Sequence, residues 1–477
     1  MSNGNTAPEE SDADDTAARQ RPTAVVVGGG LAGITAALSL ADGGADVTLL
    51  EGRPRLGGLA FSFKRGDLTV DNGQHVYLRC CTAYRWFLDR IDAASLAPLQ
   101  ERLDVPVLDA EKNRLGRLRR TALPVPLHLA KSLATYPHLT LAERANVGRA
   151  ALALKGLDLT DPALDERDFG SWLAEHGQSQ RAIEALWDLV GVATLNAVAG
   201  EASLGLAAMV FKTGLLSDPG AADIGWAQVP LGELHDTLAR KALDSAGVRT
   251  ELRTRVTSIS RTENGRWAVE VPEGPDTSGQ ILAADTVVLA VPQREAHDLL
   301  PDGALDDKGR LLDIGTAPIL NLHVVYDRKV LKRPFFTALG SPVQWVFDRT
   351  EASGLTEGQY LAVSQSAAQD EIDEPVAVLR ERYLPELERL LPNARGAKIH
   401  DFFVTRERTA TFAPTPGVGA LRPGARTNAP GLYLAGAWTA TGWPATMESA
   451  VRSGASAADA ALAALGRPRG HLYREAA

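Results

Sequence analysis

Hydrophobic and polar positions along this chain fall into several distinct rhythms. Thr23-Ala-Val-Val-Val is a continuous apolar run that stops at Gly28-Gly-Gly30, which predicts a buried strand followed by a tight turn. Residues 31–42 then carry helical spacing, and Ala45-Asp-Val-Thr-Leu-Leu-Glu51 reads as a second strand. Together these form a βαβ unit. From 101 to 217 helical periodicity takes over, at 127–136, 141–154, 169–175 and 180–190, with turn signals at Asp161-Pro162 and Gly177. An amphipathic helix is predicted at 231–246, then strands at 247–252, 255–260, 267–271 and 284–292. Further strands at 320–326, 344–347 and 360–364 predict a second sheet. Gly431-Leu-Tyr-Leu-Ala-Gly436 is a last buried strand, and a helix at 445–465 closes the pattern.

The order of these elements predicts an α/β fold with a Rossmann-like nucleotide domain drawn from three chain segments, 22–100, 218–300 and 406–466. An α+β substrate part is expected to fill the gaps, with a helical insertion at 101–217 and a mixed sheet at 301–405. Residues 1–21 hold five acids and no apolar stretch, and 467–477 are similarly poor in core-forming residues; both read as loose tails.

Composition narrows the function. The 477 residues are 45% hydrophobic and 23% charged, which suits a globular chain with a large core. With 50 Lys+Arg against 59 Asp+Glu the net charge is −9, which argues against nucleic acid as a partner. Only Cys80 and Cys81 occur, so neither a disulfide framework nor a metal site is predicted. Adjacent cysteines could close only a strained ring; two buried thiols are the better reading. No apolar run approaches the roughly 20 residues needed to span a bilayer, and the expected location is cytoplasmic.

Gly28, Gly30 and Gly33 stand in the G-x-G-x-x-G positions, with Leu31 and Ala32 opening the helix between them. The first glycine permits the turn, the second lets a pyrophosphate reach the backbone, and the third lets helix and strand pack closely. The helix N-terminus offers free N–H groups to phosphate. Glu51, at the end of the second strand, is placed to accept hydrogen bonds from ribose hydroxyls.

These residues, and others in the same layout, resemble the FAD-dependent amine oxidase and phytoene desaturase superfamily. Glu51-Gly52-Arg53-Pro-Arg-Leu-Gly57-Gly58 is similar to its E-x-R-x-x-x-G-G stretch, followed here by Leu59. Asp71-Asn-Gly73-Gln74-His75 resembles the segment beside the flavin ring, and Arg255-Val256 the strand whose backbone holds adenine. Leu434-Ala-Gly436-Ala437-Trp-Thr, continuing through Gly442-Trp-Pro-Ala445-Thr446-Met447-Glu-Ser-Ala, resembles the C-terminal flavin motif of carotenoid-type desaturases. More narrowly, residues 71–85, Phe169-Gly-Ser-Trp-Leu, residues 186–196 and Arg408-Thr-Ala-Thr-Phe412 resemble the hydroxysqualene dehydroxylase family. The resemblance implies FAD, held non-covalently since 436–447 contains no Cys or His to attach it. Three positions depart from the wider pattern: Ala437 where relatives often have Asp, Leu59 where many have Arg, and Ser449 where desaturases have Gly.

The resemblance further implies reductive loss of a hydroxyl from a C30 isoprenoid alcohol, with hydride from reduced FAD and an electron donor that the sequence does not name. Hydroxide leaves poorly, so a proton donor is required. His75, beside Gln74, is the first candidate because imidazole titrates near working pH; the alternative is a backbone-bonded His beside the ribityl chain. Asp188, next to Trp187, is a second candidate if burial raises its pKa, or else a capping carboxylate; Asn196 could share its cavity. Asp71 reads as a loop cap. Lys112, Arg114, Arg117, Arg119 and Arg120 precede the apolar Leu123-Pro-Val-Pro-Leu-His-Leu-Ala, a pattern that suits peripheral membrane attachment but equally a solvated hairpin before a packed helix. Two other functions fit the same residues: an oxidative desaturase, and a prenyl-lipid carrier.

Overall fold

The computed structural model describes residues 21–274 and 279–467, so the two tails, apart from Arg21 and Arg467, lie outside the described residues. Five parallel strands form the nucleotide sheet in the order Leu432–Leu434, Thr286–Leu289, Thr23–Val27, Asp46–Glu51, Arg249–Leu252. The first four are mainly apolar because layers cover both faces, whereas Arg249–Leu252, at the sheet edge, is mostly polar. The helices Leu31–Asp42 and Met447–Ala464 pack together on one face, and their approach is close. A Cβ at Gly454 would stand 2.1 Å from Ala32 O, which is why the last helix is built from Gly, Ala and Ser where it meets the first.

A seven-stranded sheet runs Ile399–Phe412, Thr316–Tyr326, Gln359–Gln365, Trp345–Asp348, Phe335–Leu339, Asp104–Asp109, Arg114–Arg119. Its last two strands correct the expected start of the helical insertion: residues 104–119 are an edge hairpin, and the helices begin after it, at Leu127. The hairpin agrees with the alternative reading of the basic stretch Lys112–Arg120 as a solvated hairpin before a packed helix. One face of the sheet packs on Val376–Leu390 through Leu320, Leu322, Val324 and Val363. The other face meets the helical region, whose core is Phe169, Trp172, Trp187 and Phe211.

Smaller differences from expectation follow one rule, that local pattern fades where charge or uniform burial masks it. Helix Leu204–Leu215 is apolar on nearly every side and so lacks an amphipathic stripe. Ile399–Phe412 is a long strand with mostly polar residues. The strand expected at 255–260 is Ser258–Arg261, and 284–292 resolves into Gln280–Ala284 and Thr286–Leu289.

Two imidazoles are buried without charge. Burial holds His323 at about 3 and His235 at about 4, while each ring is hydrogen-bonded, His323 to Tyr360 and Thr405 and His235 to Tyr84 and Ala60 O. An unfolded chain binds these protons near pH 6.5, so stability is full above that value and falls as pH drops toward 4. The expected loss by pH 5 is about 2 kcal/mol per histidine, read as a falling urea midpoint, and His323→Gln should flatten the slope.

Candidate functional site

The βαβ turn builds a cradle. Gly28 has φ +107°, and a Cβ there would stand 2.3 Å from Ala290 O; one at Gly33 would stand 1.8 Å from Gly28 O. Both positions therefore exclude side chains. A Cβ at Gly30, by contrast, would meet only Gly58 Cα, at 3.8 Å, so its open face is left for a ligand. Gly30 caps the helix without a side chain, and no acid occupies the first turn, leaving the positive helix end uncompensated. Leu31 and Ala32 are buried and offer backbone N–H groups only.

Glu51 is held rigidly: Oε2 accepts from Gly29 N at 2.6 Å and Oε1 from Arg53 N at 2.7 Å. Its remaining lone pairs suit ribose hydroxyls. The following loop is laid on the turn by Gly57 N donating to Gly29 O at 2.9 Å and by the close pass of Gly58 over Gly30. Gly52 lies against Arg255, and Leu59 is 48% exposed. Arg53 is exposed and contributes its backbone, whereas Arg55, not singled out from the sequence, bonds Leu56 O and Gly58 O and covers Phe61. No strand includes buried Val256, so its backbone is free of sheet pairing, as adenine recognition needs.

The C-terminal motif closes this cradle. Gly436, at φ +145°, donates its N–H to Ser453 Oγ at 2.8 Å. Thr446 caps the last helix by accepting from Ser449 N, and Met447 is its first residue, after Ala445. Ser449 explains its own departure from glycine: its hydroxyl bonds Ala437 O at 3.0 Å and Thr441 Oγ1 at 2.6 Å, tying helix to loop. Buried Arg422 does the same from behind, donating to the carbonyls of Ala437, Trp438, Thr439 and Trp443. Glu448 is buried and accepts from Ala83 N and Tyr84 N, capping the helix Thr82–Arg90. Arg422 carried no periodic signal, and Glu448 appeared only within the C-terminal motif, with nothing local to mark its partners on a distant helix.

An open glycine face, a bare helix end and a fixed carboxylate fit FAD. Glu51→Ala removes the fixed carboxylate, whose charge-assisted hydrogen bonds are worth about 1.5–3 kcal/mol each. The expected result is FAD binding weakened roughly 10- to 100-fold in a flavin fluorescence titration, with the fold retained.

A small pocket lies beside the predicted flavin segment, lined by Asp71, Gln74, His75, Val76, Trp226, Ala227, Leu231, Phe347 and Arg349. Asp71 accepts from Ser62 Oγ, Leu231 N and Arg349 Nη2, so it is a tertiary anchor between distant segments rather than the expected cap of its own loop. His75 Nδ1 lies 3.3 Å from Gly73 O, a long contact that leaves the ring available to the pocket. Burial holds its imidazole below the ordinary value, against a smaller upward pull from Asp71, so at pH 7 the ring is chiefly neutral and an N–H donor.

Asp188 is a correction. It does not line this pocket; it accepts from Ala199 N at 2.8 Å within the helical region. Burial does push it up to about 6, as a buried carboxyl should behave, and its partner is a backbone N–H, as the capping alternative expects. Asn196 is also structural: at φ 61° it ends the helix Asp188–Leu195, donates to Ala317 O and Thr411 Oγ1 and accepts from Ala367 N. Cys80 and Cys81 are free thiols.

Comparison with known proteins agrees with this geometry. The family described as flavin containing amine oxidoreductase matches residues 31–462. The chain is 30% identical to hydroxysqualene dehydroxylase of Rhodopseudomonas palustris over 93% of its own length and 99% of that protein. It is 28% identical to the enzyme of the same name from Sinorhizobium fredii, covering 92% and 97%. The fold is similar to that of cyclohexylamine oxidase from Brevibacterium oxydans, with a TM-score of 0.67 at 19% identity over 94% of this chain and 100% of that one. The chain therefore belongs to the flavin-containing amine oxidoreductases and, among them, to the hydroxysqualene dehydroxylase family.

Proposed function

We propose that this protein reduces hydroxysqualene to squalene with non-covalent FAD, the substrate's reacting carbon lying in the pocket bounded by Gln74, His75, Trp226 and Phe347. The observation that carries the reading is this pocket, one wall polar and the other aromatic, on the loop that follows the nucleotide cradle in a chain aligned end to end with hydroxysqualene dehydroxylases. Gly28, Gly30, Gly33, Glu51, Val256, Gly436 and the helix end at Thr446-Met447 hold the cofactor. Bound and reduced, FAD supplies the hydride.

The protein's own residues supply the rest. Trp226, Phe347 and Ala227 keep water from a carbon that turns electron-poor as its oxygen departs. His75 donates a hydrogen bond to that oxygen. Its protonated form, a minority at pH 7 because burial disfavours the cation, gives up the proton and returns to neutral imidazole, so turnover should rise as pH falls below neutral. Positioned general acids contribute about 10²–10⁴-fold, so His75→Ala should lower turnover by that range while the flavin absorbance stays. Normal rates in this variant would assign the proton to another group.

The experiment that tests the reading supplies hydroxysqualene and squalene to separate reactions and analyses the products. Squalene formed from hydroxysqualene, with squalene itself unchanged, supports dehydroxylation. Dehydrogenated products from squalene would assign a desaturase, and a colourless protein that retains lipid would assign a carrier.

A C30 substrate resides in the bilayer, and among the described residues no helix is long and apolar enough to cross one. The proposed contact is peripheral, on the cytoplasmic membrane face. Its support is the exposed Leu115, Leu123 and Leu127 near Lys112 and Arg114. Arg117 and Arg119 are partly neutralised by Asp104, and Arg120 turns inward to Asp223, so the basic contribution is smaller than five charges. Sedimentation with anionic liposomes should show binding that weakens with salt and with Leu123→Asp/Leu127→Asp; salt-insensitive absence of binding would remove the patch from the account.

A further inference from the structure

Beyond the pocket residue Leu231 the chain enters a π-helical turn, Glu233–Leu238, that is clamped on the cradle loop. More residues share such a turn than in an α-helix, so neighbouring side chains diverge less. Here His235 and Asp236 both reach the loop. Asp236 Oδ1 accepts from Leu56 N at 3.0 Å, and Gly232 N, just before the turn, donates to Ser62 Oγ at 2.8 Å. His235 Nδ1 lies 2.9 Å from Ala60 O, and a Cβ at Gly57 would stand 3.1 Å from the Cβ of His235. Gly57 and Gly58, at φ +94° and +57°, are the residues laid over the glycine turn, so His235 backs the loop where it meets the cradle.

Chemistry fixes the direction of each hydrogen bond here. Ala60 O can only accept, so His235 Nδ1 carries the proton. Burial keeps the ring neutral, so Nε2 accepts, from Tyr84 Oη at 2.9 Å. Burial also pushes the Tyr84 phenol up, so it stays an O–H donor. Through its backbone N–H, Tyr84 donates to Glu448 Oε2 at 2.8 Å. Glu448 is the acid in the first turn of the last helix, and its charge is met by Ala83 N, Tyr84 N and Arg452 Nε. His235, Tyr84 and Glu448 are all buried. One chain of contacts therefore runs from the loop laid on the cradle to the helix end that closes it.

We propose that His235 is a positioning residue for the flavin: with Tyr84 it fixes the Gly57–Ala60 loop against the N-terminus of the last helix, and so sets how well that helix end stabilises the negative charge of the reduced cofactor. The inference rests on FAD lying in the cradle and not on which substrate it meets, so it goes beyond the dehydroxylase reading. A helix N-terminus favours an anion only within about its first turn, so a small displacement of the helix end weakens it. Glu448 bears on the same balance. Held against Ala83, Tyr84 and Arg452, its carboxylate does not compete with the cofactor for the N–H groups of its own helix. Removing the imidazole would leave two buried polar groups unpaired, Ala60 O on the loop and Tyr84 Oη on the helix side, and the two walls would lose their common register.

The test uses the full-length flavin-loaded enzyme without substrate and measures the two-electron reduction potential of the bound flavin in His235→Leu, His235→Gln and Tyr84→Phe. His235→Leu should favour reduced over oxidised flavin at least tenfold less than the parent does, a potential lower by about 30 mV. His235→Gln, whose amide both donates and accepts, should stay within threefold of the parent. Tyr84→Phe removes one hydroxyl and keeps the ring, and should lose more than threefold. Adding it to His235→Leu should change little, because the chain is already broken. A leucine variant that loses thermal stability yet keeps its potential within threefold of the parent's overturns the proposal and leaves His235 a packing residue. Leucine and glutamine variants that behave alike overturn it as well. If His235→Leu does not retain flavin, Tyr84→Phe decides, and a potential within threefold of the parent's in that variant overturns the proposal. With no substrate present, none of these outcomes depends on the dehydroxylase reading, which product analysis tests separately.

Discussion

Arg349→Met is expected to destabilise the protein by about 3–5 kcal/mol and to abolish turnover. Arg349 and Asp71 have side-chain exposures of 8% and 6%, with Nη2 and Oδ2 2.8 Å apart. The guanidinium also donates to Ala227 O and Val229 O, and the carboxylate also accepts from Ser62 and Leu231. Removing the cation strands a buried carboxylate and at least two carbonyls at once. Asp71 and Ala227 border the pocket, so the loop bearing Gln74 and His75 loses its anchor with them. Urea unfolding measures the loss, and a double variant, Asp71→Leu/Arg349→Met, should recover part of it because no charge is left unpaired. A single-variant loss below about 1 kcal/mol would mean that water reaches the pair and that it anchors nothing.

The second large effect belongs to the glycine turn. Gly33→Ala places a methyl 1.8 Å from Gly28 O and 3.2 Å from Ala290 Cβ, and the first of these is backbone with nowhere to move. The expected result is a loss of about 3 kcal/mol or more, with flavin content near zero, since the turn must open for helix and strand to coexist. Gly30→Ala is the informative partner. Its methyl would meet only Gly58 Cα at 3.8 Å, so the fold should survive while FAD binding weakens, the methyl filling the face left for the cofactor. Thermal midpoint and bound-flavin absorbance separate the two outcomes. Equal behaviour of the two variants would mean that Gly30 is a packing residue rather than part of the cradle.

How far these features could be read from the chain depends on the range of the forces behind them. The strand Thr23–Val27, helix Leu31–Asp42 and Glu51 were legible because apolar period and glycine spacing act within one turn or strand. The pocket was not. Its His75 wall lies in a contiguous motif, but Trp226, Phe347 and Arg349 reach it from strands and turns far along the chain. Arg422 and Arg349 read as ordinary surface charges until tertiary structure encloses them. Asp188 misled for the opposite reason: its neighbour Trp187 signals burial correctly, but burial in the helical core is not proximity to the pocket. Ser449 showed the same limit on a smaller scale, since a departure from glycine reads as a loss until its two hydrogen bonds are seen.

The most direct measurement reduces the bound flavin by light without oxygen, mixes the enzyme with hydroxysqualene, and follows flavin absorbance and products together. The account predicts that oxidised flavin reappears in step with one squalene per flavin, and that His75→Ala slows both equally. Flavin that stays reduced while hydroxysqualene persists, or that reoxidises without squalene, would contradict it.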